Sequence, residues 1–597
     1  MSAKFTPTAW TLMSTMPGRT SGFGTSDSRS TSGPPVCEKT IAFTLDTSEA
    51  VVEYPSARLE PMTPPVPDAA PIPAAQKWAI TLTVMVVAFM QILDTSVTNV
   101  VLPHLQGSLS AGLDEVSWVI TSYLAANAVV IPATGWLVGV FGRKRFFLLC
   151  TTVFVLSSFL SGIAPDLTTL IIARIFQGLG GGPIIPLSQA ILWEIFPFHQ
   201  RGLAMAVWGV GFILGPILGP TVGGYLADEW SWRWIFYINL PVGVVGFLLA
   251  SACLFDPPYL RKAGRIDWWG LGLMVVGFGC LQLVLDRGER EDWFDSPTIV
   301  ALTVVAVGAL LGFLIRELTT SDPILDLAVF TDRNFATGAI LIAIVGFGTF
   351  SGMLLVAVFT QKLLGYDAWT SGLVLAPGGL GNIFSLFASG LVTRIDQRMM
   401  LAFGCLLNAV AFYMMTSLTL TMDYWALALP RFIQGFAVGF IFVPLSTLAL
   451  ATIRRDKLVN ATAAYGMLRN LGGSIGIAVA TTLLSQRSQF HQATLTGHLT
   501  RWDTETYARL GRWTRHFAAQ GTDAFTAERQ AVAMLYNETV AQAQLLAFAD
   551  DFWLLTLMFA AVPLFLPLMR RIRLYPKPST IAAAETTVAH AAEEGAV

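Results

Sequence analysis

Long apolar runs separated by short polar segments dominate the chain from residue 78 onward. A helix needs about 20 apolar residues to cross a hydrocarbon layer of about 30 Å, because it rises about 1.5 Å per residue. Fourteen runs meet this requirement, at residues 78–103, 116–138, 146–164, 168–196, 203–226, 233–255, 268–286, 297–315, 336–361, 369–392, 399–421, 424–450, 458–485 and 551–570. The pattern predicts an all-α membrane protein with 14 transmembrane helices.

Composition supports a membrane setting. Of the 597 residues 54% are hydrophobic and 13% charged, whereas about a quarter of a soluble domain is charged. A net charge of -2 gives no reason to expect nucleic acid as a partner. The hydrophobic composition makes membrane lipid the expected surroundings. Scattered cysteines and histidines predict no metal site, and the sequence shows neither a catalytic triad pattern nor a phosphate-binding loop. An enzyme is therefore not predicted.

The two ends differ from the middle. Residues 1–77 are rich in Ser, Thr and Pro and lack a signal-peptide pattern, which predicts a disordered tail, and 574–597 form a second tail. Lys and Arg concentrate in alternate loops such as 142–145 and 454–457, and basic loops stay in the cytoplasm. Both termini are therefore expected to be cytoplasmic. One outer connection, 486–550, is long and amphipathic, as a functional or docking segment would be.

The chain contains an internal duplication. The segment "RIFQGLGGGPIIPLS" at Arg174 matches "RFIQGFAVGFIFVPLS" at Arg431, with an arginine inside a span in both copies. This correspondence predicts an N-terminal six-helix half at 78–255, a C-terminal half at 336–573 and two inserted helices with linkers at 256–335. Two six-helix halves of the same orientation are the architecture of major facilitator transporters.

Five segments carry a resemblance to a subfamily, and they are "LDTSVTNVVLP", "WVITSYLAANAVVIPATGWL", "RIFQGLGGGPIIPLSQAIL", "GFILGPILGPTVGGYLADEWSWRWIFYINLPVG" and "NATAAYGMLRNLGGSIGIA". The chain resembles the fourteen-helix drug:proton antiporter branch of the major facilitator superfamily, in its EmrB/QacA-like group. The resemblance implies export of hydrophobic or cationic drugs and toxic small molecules across a bacterial inner membrane. A proton gradient would supply the energy, without a cofactor. It also implies a periplasmic membrane-fusion adaptor and an outer-membrane channel as partners.

Asp94 is the residue expected to couple protons to transport. It lies in a run of about 26 residues without another formal charge, where a carboxylate must face a cavity, find a cation or take a proton. Arg174, in the same half of the membrane, is its expected partner. The alternative is a static ion pair that only pins helices together.

Span five carries a second pattern, formed by Gly211, Gly215, Pro216, Gly219, Pro220 and Gly223. Glycine at every fourth position makes a smooth face that another helix can approach closely. We expect an ion-tight seam, which the resemblance identifies as the antiporter signature. An ordinary packing face is the alternative.

Polar residues within spans are candidates for the lining of a substrate cavity: Gln91, Asn99, Tyr123, Asn127, Gln177, Gln434 and Arg469. Each is equally open to a role in helix packing. The surrounding Phe, Met and Leu suit bulky apolar or cationic compounds, while Arg431 and Arg469 leave an anionic or neutral substrate possible.

The loop after span two departs from the superfamily pattern. Gly139 and Val140 stand where an Asp-Arg pair is usual, so a charge relay there is doubtful. The segment that remains, Gly142, Arg143, Lys144 and Arg145, is expected to form a cytoplasmic gate.

Three functions remain open from the sequence. Proton-coupled export of many hydrophobic compounds is the leading hypothesis. A dedicated exporter of one metabolite or siderophore, and a sensor or scaffold that keeps the fold without transport, are the alternatives.

Overall fold

The computed structural model describes residues 73–197, 200–256, 267–320, 322–385, 395–499 and 503–571. Outside the described residues lie the predicted C-terminal tail at 574–597 and most of the predicted N-terminal tail, namely residues 1–72. Residues 74–77 belong to the first helix, which begins four residues before the predicted span.

The described residues of the predicted N-terminal half form nine helices. They are α1 (Ala74–Val100), α2 (Leu102–Leu109), α3 (Leu113–Phe141), α4 (Arg143–Ile163), α5 (Leu167–Gly181), α6 (Ile184–Ile195), α7 (Arg201–Glu229), α8 (Trp234–Tyr237) and α9 (Asn239–Cys253). The fourth predicted span is divided into α5 and α6 at Gly182 and Pro183, because proline cannot donate the backbone bond that would continue α5.

The inserted pair is α10 (Trp268–Arg287) and α11 (Pro297–Thr319). The predicted C-terminal half contains α12 (Arg333–Val358), α13 (Ala368–Phe384), α14 (Gln397–Met415), α15 (Tyr424–Leu450), α16 (Leu458–His498), α17 (Thr504–Ala519) and α18 (Ala524–Ala561). A π turn at Phe359–Leu363 extends α12, and a 3-10 turn at Val562–Leu568 follows α18.

A helix is present at each of the fourteen predicted spans. Among the described residues, 12 helices are long and apolar enough to cross a membrane. The other two predicted spans correspond to α7, which has 29 residues, and α13, which has 17 before residues outside the described part. The number of crossings therefore stays a prediction.

The long outer connection is helical along most of its length. Because α16 has 41 residues, it is about 61 Å long, roughly twice the hydrocarbon thickness. At the end of α16, α17 packs on the first part of α18, where Trp513 Nε1 donates to Glu538 Oε1 at 3.1 Å. The sequence predicted a long amphipathic connection, and the structure shows that three helices, α16, α17 and α18, form most of it.

We call the end of the bundle where α1 begins the near end, and the end where α1 stops the far end. The two halves contact each other at the near end, where the Cα of Asn460 on α16 would lie 2.9 Å from a Cβ added to Gly135 on α3. Only glycine allows α3 to come this close to α16 without displacement.

The inserted pair rests on both halves. On one side the Thr121 hydroxyl of α3 donates to the Asp286 carboxylate of α10. On the other side the Ser474 hydroxyl of α16 donates to Gln282 Oε1 at 3.1 Å. The α10 helix therefore spans the far-end junction between α3 and α16.

Candidate functional site

Asp94 lies at the centre of a buried polar network. Its Oδ2 accepts from Arg174 Nη1 at 2.7 Å, and its Oδ1 accepts from Gln177 Nε2 at 2.9 Å and from Asn239 Nδ2 at 2.7 Å. The Asp94 and Arg174 side chains are each 1% exposed. Three helices, α1, α5 and α9, therefore meet on one carboxylate.

Arg174 is fixed on every side. Its Nε donates to the Val119 carbonyl at 3.2 Å, and its Nη1 also donates to Gln177 Oε1 at 2.8 Å. The guanidinium lies 4.1 Å from the centre of the Tyr123 ring, a distance at which the ring face attracts a cation. The structure therefore brings together the two residues predicted to couple protons.

The network compensates the cost of burying charge. An unpaired carboxylate inside a membrane protein is strongly unfavourable, and an ion pair repays the cost only when its remaining hydrogen-bonding groups are satisfied. Both Asp94 oxygens are satisfied here, one by a cation and one by two amides. Neutralising Asp94 would remove the charge that Arg174 and the amides hold in place.

Asn239 is the member of this network that the sequence reasoning missed. It lies at the start of α9, far from Asp94 in the chain, and its Nδ2 also donates to Ser158 Oγ at 3.0 Å. An asparagine inside the quoted segment "WIFYINLPVG" is the signal that was available, but sequence alone does not show that α9 approaches α1.

The candidate cavity residues of this half lie on or near the same network. Gln177 binds Asp94 directly, and Gln91 Nε2 donates to the Tyr123 hydroxyl at 2.9 Å. Asn127 is buried on α3, and its Oδ1 has no hydrogen-bond partner among the described residues. The Asn99 side chain lies outside the described part. A substrate contact for each of these residues stays a prediction.

The glycine face of α7 packs against α1 beside Asp94. A Cβ added to Gly215 would lie 3.0 Å from the Ile92 Cβ, and one added to Gly223 would lie 2.6 Å from a methyl group of Val97. Gly219 meets Ser96 in the same way, and Gly211 lies near Met85. The seam that these glycines form thus lies between two helices of the same half, and its expected role as an ion-tight seam stays a prediction. The side chains of Pro216 and Pro220 are not among those described.

The second copy of the duplicated segment repeats part of the arrangement. On α15 the Arg431 guanidinium donates to Gln434 Oε1, as Arg174 donates to Gln177. Within the described residues no carboxylate lies within ion-pair distance of Arg431, although its side chain is buried. The duplicated Arg and Gln therefore keep their mutual contact without a counterpart of Asp94.

A cavity lies between the halves, closer to the near end than Asp94. Its empty volume is about 610 Å³, including space open to solvent, and its lining is mainly apolar. Trp208 of α7 stacks on Phe442 of α15 at 5.5 Å, and the Arg469 guanidinium lies 5.9 Å from the Trp208 ring. Of the predicted cavity residues, Arg469 lines this space, which also contains the polar Asn382 and Ser385.

The depths of the two sites can be compared along their helices. Asp94 lies 20 residues into α1, or about 30 Å from the near end, whereas Arg469 lies 11 residues into α16, or about 16 Å from it. The cavity and the carboxylate are therefore separate. The α7 helix lines the cavity through Trp208, and its glycines pack on Ile92 and Ser96 of α1, which flank Asp94 in the chain.

The predicted gate residues contact their own half and the start of the linker that follows it. Arg143 is buried, pairs with Glu194 at the end of α6, and donates to the Phe255 carbonyl at 2.9 Å. The backbone N–H of Lys144 donates to Asp256 Oδ1 at 2.8 Å. Gly142 has a positive φ of 81°, which favours glycine, and Arg145 is exposed. A gating role stays a prediction.

Comparison with known proteins places the chain in a family. Residues 84–477 match the model of the Major Facilitator Superfamily. The multidrug export protein EmrB of Escherichia coli K12 is 39% identical over 428 residues, which are 71% of this chain and 84% of that protein. The fatty acid resistance protein FarB of Neisseria gonorrhoeae is 37% identical over 453 residues, 75% of this chain and 88% of that one.

Solved structures agree on the fold. The structure of the proton:xylose symporter XylE superimposes with a TM-score of 0.53 at 15% identity, and covers 82% of this chain and 95% of that one. At this identity the likeness shows the fold alone, which is the major facilitator fold that the internal duplication predicted. With the match over residues 84–477 and the identity to EmrB, the chain belongs to the Major Facilitator Superfamily and to the EmrB-like family within it.

Proposed function

We propose that this protein is a proton-coupled antiporter that exports hydrophobic small molecules, a multidrug efflux transporter of the bacterial inner membrane. The observation that carries the proposal is the buried Asp94 network, in which one carboxylate holds a cation and two amides from other helices. Protonation of Asp94 would release Arg174, because a neutral acid no longer attracts the guanidinium, and would weaken the hydrogen bonds from the two amides.

The α7 helix is our proposed link between substrate and proton. Trp208 lines the cavity near one end of α7, and Gly215 and Gly219 pack against α1 on either side of Asp94. Displacement of Trp208 by a substrate would move α7, and the close glycine contacts would pass that movement to α1. A protonated or deprotonated Asp94 would then favour different arrangements of the two helices.

The substrate class follows from the lining of the cavity. Trp208, Phe350 and Phe442 offer apolar surface, while Asn382 and Ser385 offer few hydrogen bonds. Such a site selects by apolar surface more than by hydrogen bonding. The compounds expected are bulky and hydrophobic. The positive charge of Arg469 would distinguish anionic compounds of this kind from cationic ones.

Reconstituted vesicles test the coupling. We expect uphill movement of a fluorescent hydrophobic compound when a pH gradient is imposed, and no movement when an ionophore abolishes the gradient. Transport that continues without a pH gradient or membrane potential would exclude a proton-driven mechanism. Absence of transport for chemically diverse compounds would favour the sensor or scaffold reading, and transport of one compound alone would favour a dedicated exporter.

We further propose that both termini and the near end face the cytoplasm, since the basic loops at 142–145 and 454–457 lie at that end. The helices α17 and α18 would then project into the periplasm. Their surface exposes aromatic side chains, among them Tyr507 at 73% and Phe525 at 69%. Exposed aromatic residues of this kind suit a periplasmic adaptor that leads to an outer-membrane channel.

A variant carrying Tyr507→Asp and Phe525→Asp tests the adaptor proposal. If the helices dock an adaptor, the variant should transport normally in vesicles yet fail to protect cells and fail to co-purify with the adaptor. If they form a lid over the transporter, vesicle transport itself should change. Ser108→Asp, at an exposed position on α2 between two predicted spans, is a control for an added surface charge away from the projection. Normal behaviour in all three assays would contradict both readings.

A further inference from the structure

Two consecutive aspartates on α18 have opposite surroundings. Asp550 Oδ2 is bound by Arg487 Nε at 2.5 Å and by His491 Nε2 at 2.8 Å, both from α16. Asp551 is 1% exposed, and neither of its oxygens has a hydrogen-bond partner among the described residues. The basic groups that α16 presents here are therefore engaged by Asp550 and not by Asp551.

Within the part of the chain that the structure describes, the segments around Asp551 offer it no cation. Its neighbour Phe548 packs on Phe359 of the π turn at 5.4 Å, and its neighbour Phe552 packs on Phe412 of α14 at 6.3 Å. Lys362, on the same π turn, is exposed. The charged group that acts on Asp551 most directly is Asp550, which repels a second negative charge.

These surroundings favour the protonated form of Asp551. An ionised carboxylate that is buried without a hydrogen bond or a counter-ion is strongly unfavourable, whereas the neutral acid avoids most of the cost of losing water. In this respect Asp551 is the reverse of Asp94, whose negative charge is held by Arg174 and two amides.

The two acids lie at a similar depth in the bundle. Ten residues of α18 and the seven-residue 3-10 turn separate Asp551 from the near end, which amounts to about 29 Å, against about 30 Å for Asp94. One acid thus lies in each half at a similar level, and α18, which carries Asp551, packs against α16.

We propose that Asp551 is a second proton-binding residue, which carries a proton in the arrangement seen here and releases it when α18 moves against α16 and water reaches the carboxyl group. This inference rests on the proposed proton-coupled transport. It assigns to the C-terminal half a proton site of its own, on a different helix from the one that the duplication would suggest. The step is a reversible loss of H⁺ from the Asp551 carboxyl to water, and it needs no other reactant.

The decisive measurement is the limit of uphill transport in vesicles. Each proton exchanged per substrate allows about a tenfold concentration ratio per unit of pH gradient, since one pH unit is worth 1.36 kcal/mol. We expect Asp551→Asn to fold and to transport, because the amide is nearly isosteric, but to reach a ratio about tenfold lower per pH unit. Asp551→Glu, which keeps an acid, should restore the wild-type limit. Asp228→Asn, an exposed acid at the far end of α7, is the matched control and should change nothing.

A second readout does not depend on transport. In the purified protein at neutral pH, the infrared band of a buried protonated carboxyl should be present in the wild type, lost in Asp551→Asn and retained in Asp228→Asn. Loss of this band together with a lowered limit supports the proposal. A lost band with an unchanged limit would show a neutral structural acid and overturn it, as would absence of the band from the wild type. A wild type without uphill transport would instead refute the proposed function, and the band would still report whether Asp551 holds a proton.

Should Asp551→Asn fail to fold, Asp551→Glu with a limit and band identical to wild type would support the proposal, and a changed limit would contradict it.

Discussion

Removal of Arg174 should expose the energetic coupling within the buried network. The variant Arg174→Met loses the bond to Asp94 at 2.7 Å, the bond to Gln177 at 2.8 Å and the bond to the Val119 carbonyl at 3.2 Å. Each hydrogen bond to a charged group contributes about 1.5–3 kcal/mol, and the loss of one partner of a buried pair costs about 3–5 kcal/mol. We therefore expect a loss of about 3–5 kcal/mol in the free energy of unfolding.

The double variant sharpens this expectation. Adding Asp94→Asn to Arg174→Met removes the carboxylate charge that the single variant leaves without a cation, so the double variant should be more stable than Arg174→Met alone. Equilibrium unfolding in mixed micelles would give the coupling energy, expected at about 2 kcal/mol. As a control, Arg454→Met breaks an exposed pair with Asp456 and should cost less than about 1 kcal/mol. Strictly additive effects of the two core substitutions would refute the ion pair.

Three other perturbations address other parts of the molecule. Gly215→Ala should lower the free energy of unfolding by about 1–3 kcal/mol and slow transport, because the new Cβ meets Ile92. Gly224→Ala on the same helix, where an added Cβ has no atom within 4 Å, should change neither. Equal effects of the two substitutions would show that the glycine face does not touch α1. Thr121→Val removes the donor to Asp286 and should cost about 1–3 kcal/mol in a thermal unfolding assay, and an unchanged melting profile would contradict the docking of α10 on α3. A hydrogen bond from the Thr526 side chain, with another from its backbone N–H, lowers the pKa of Asp523 at the start of α18. The ionised Asp523 therefore stabilises this helix end above the ordinary carboxyl pKa of about 3.9, and that stabilisation is lost as the pH falls through the lower pKa of the folded protein. Hydrogen exchange at the start of α18 should therefore quicken in acid, after correction for intrinsic rates, and Asp523→Ala should remove that dependence.

Much of the fold follows from local sequence. Helix length and apolarity located a helix at every predicted span, because a membrane leaves the backbone no other way to satisfy its hydrogen bonds except a closed barrel. The duplicated segment predicted the two halves, and the structure keeps its internal Arg-to-Gln contact in both copies. The helical character of 486–550 was underestimated, since the search for apolar runs does not detect amphipathic helices such as α17.

The site was less accessible to sequence reasoning. Asp94 and Arg174 are conspicuous, because a charge in an apolar run needs an explanation. Asn239 and Asp551 are not, because their significance depends on what faces them: Asn239 reaches Asp94 across 145 positions of the chain, and Asp551 stands beside an aspartate whose partners it does not share. Contacts between distant helices decide both cases, and periodicity does not predict them.

The most direct test of the central claim compares two transport modes of Asp94→Asn in reconstituted vesicles. Equilibrium exchange of substrate needs no net proton movement, whereas uphill export requires a residue that binds and releases a proton. We expect Asp94→Asn to retain exchange, which would show that it is folded and binds substrate, and to lose pH-gradient-driven accumulation. The Asp228→Asn control should retain both. Accumulation at the wild-type level by Asp94→Asn, at equal protein content, would contradict the assignment of Asp94 as the residue that couples the proton to export.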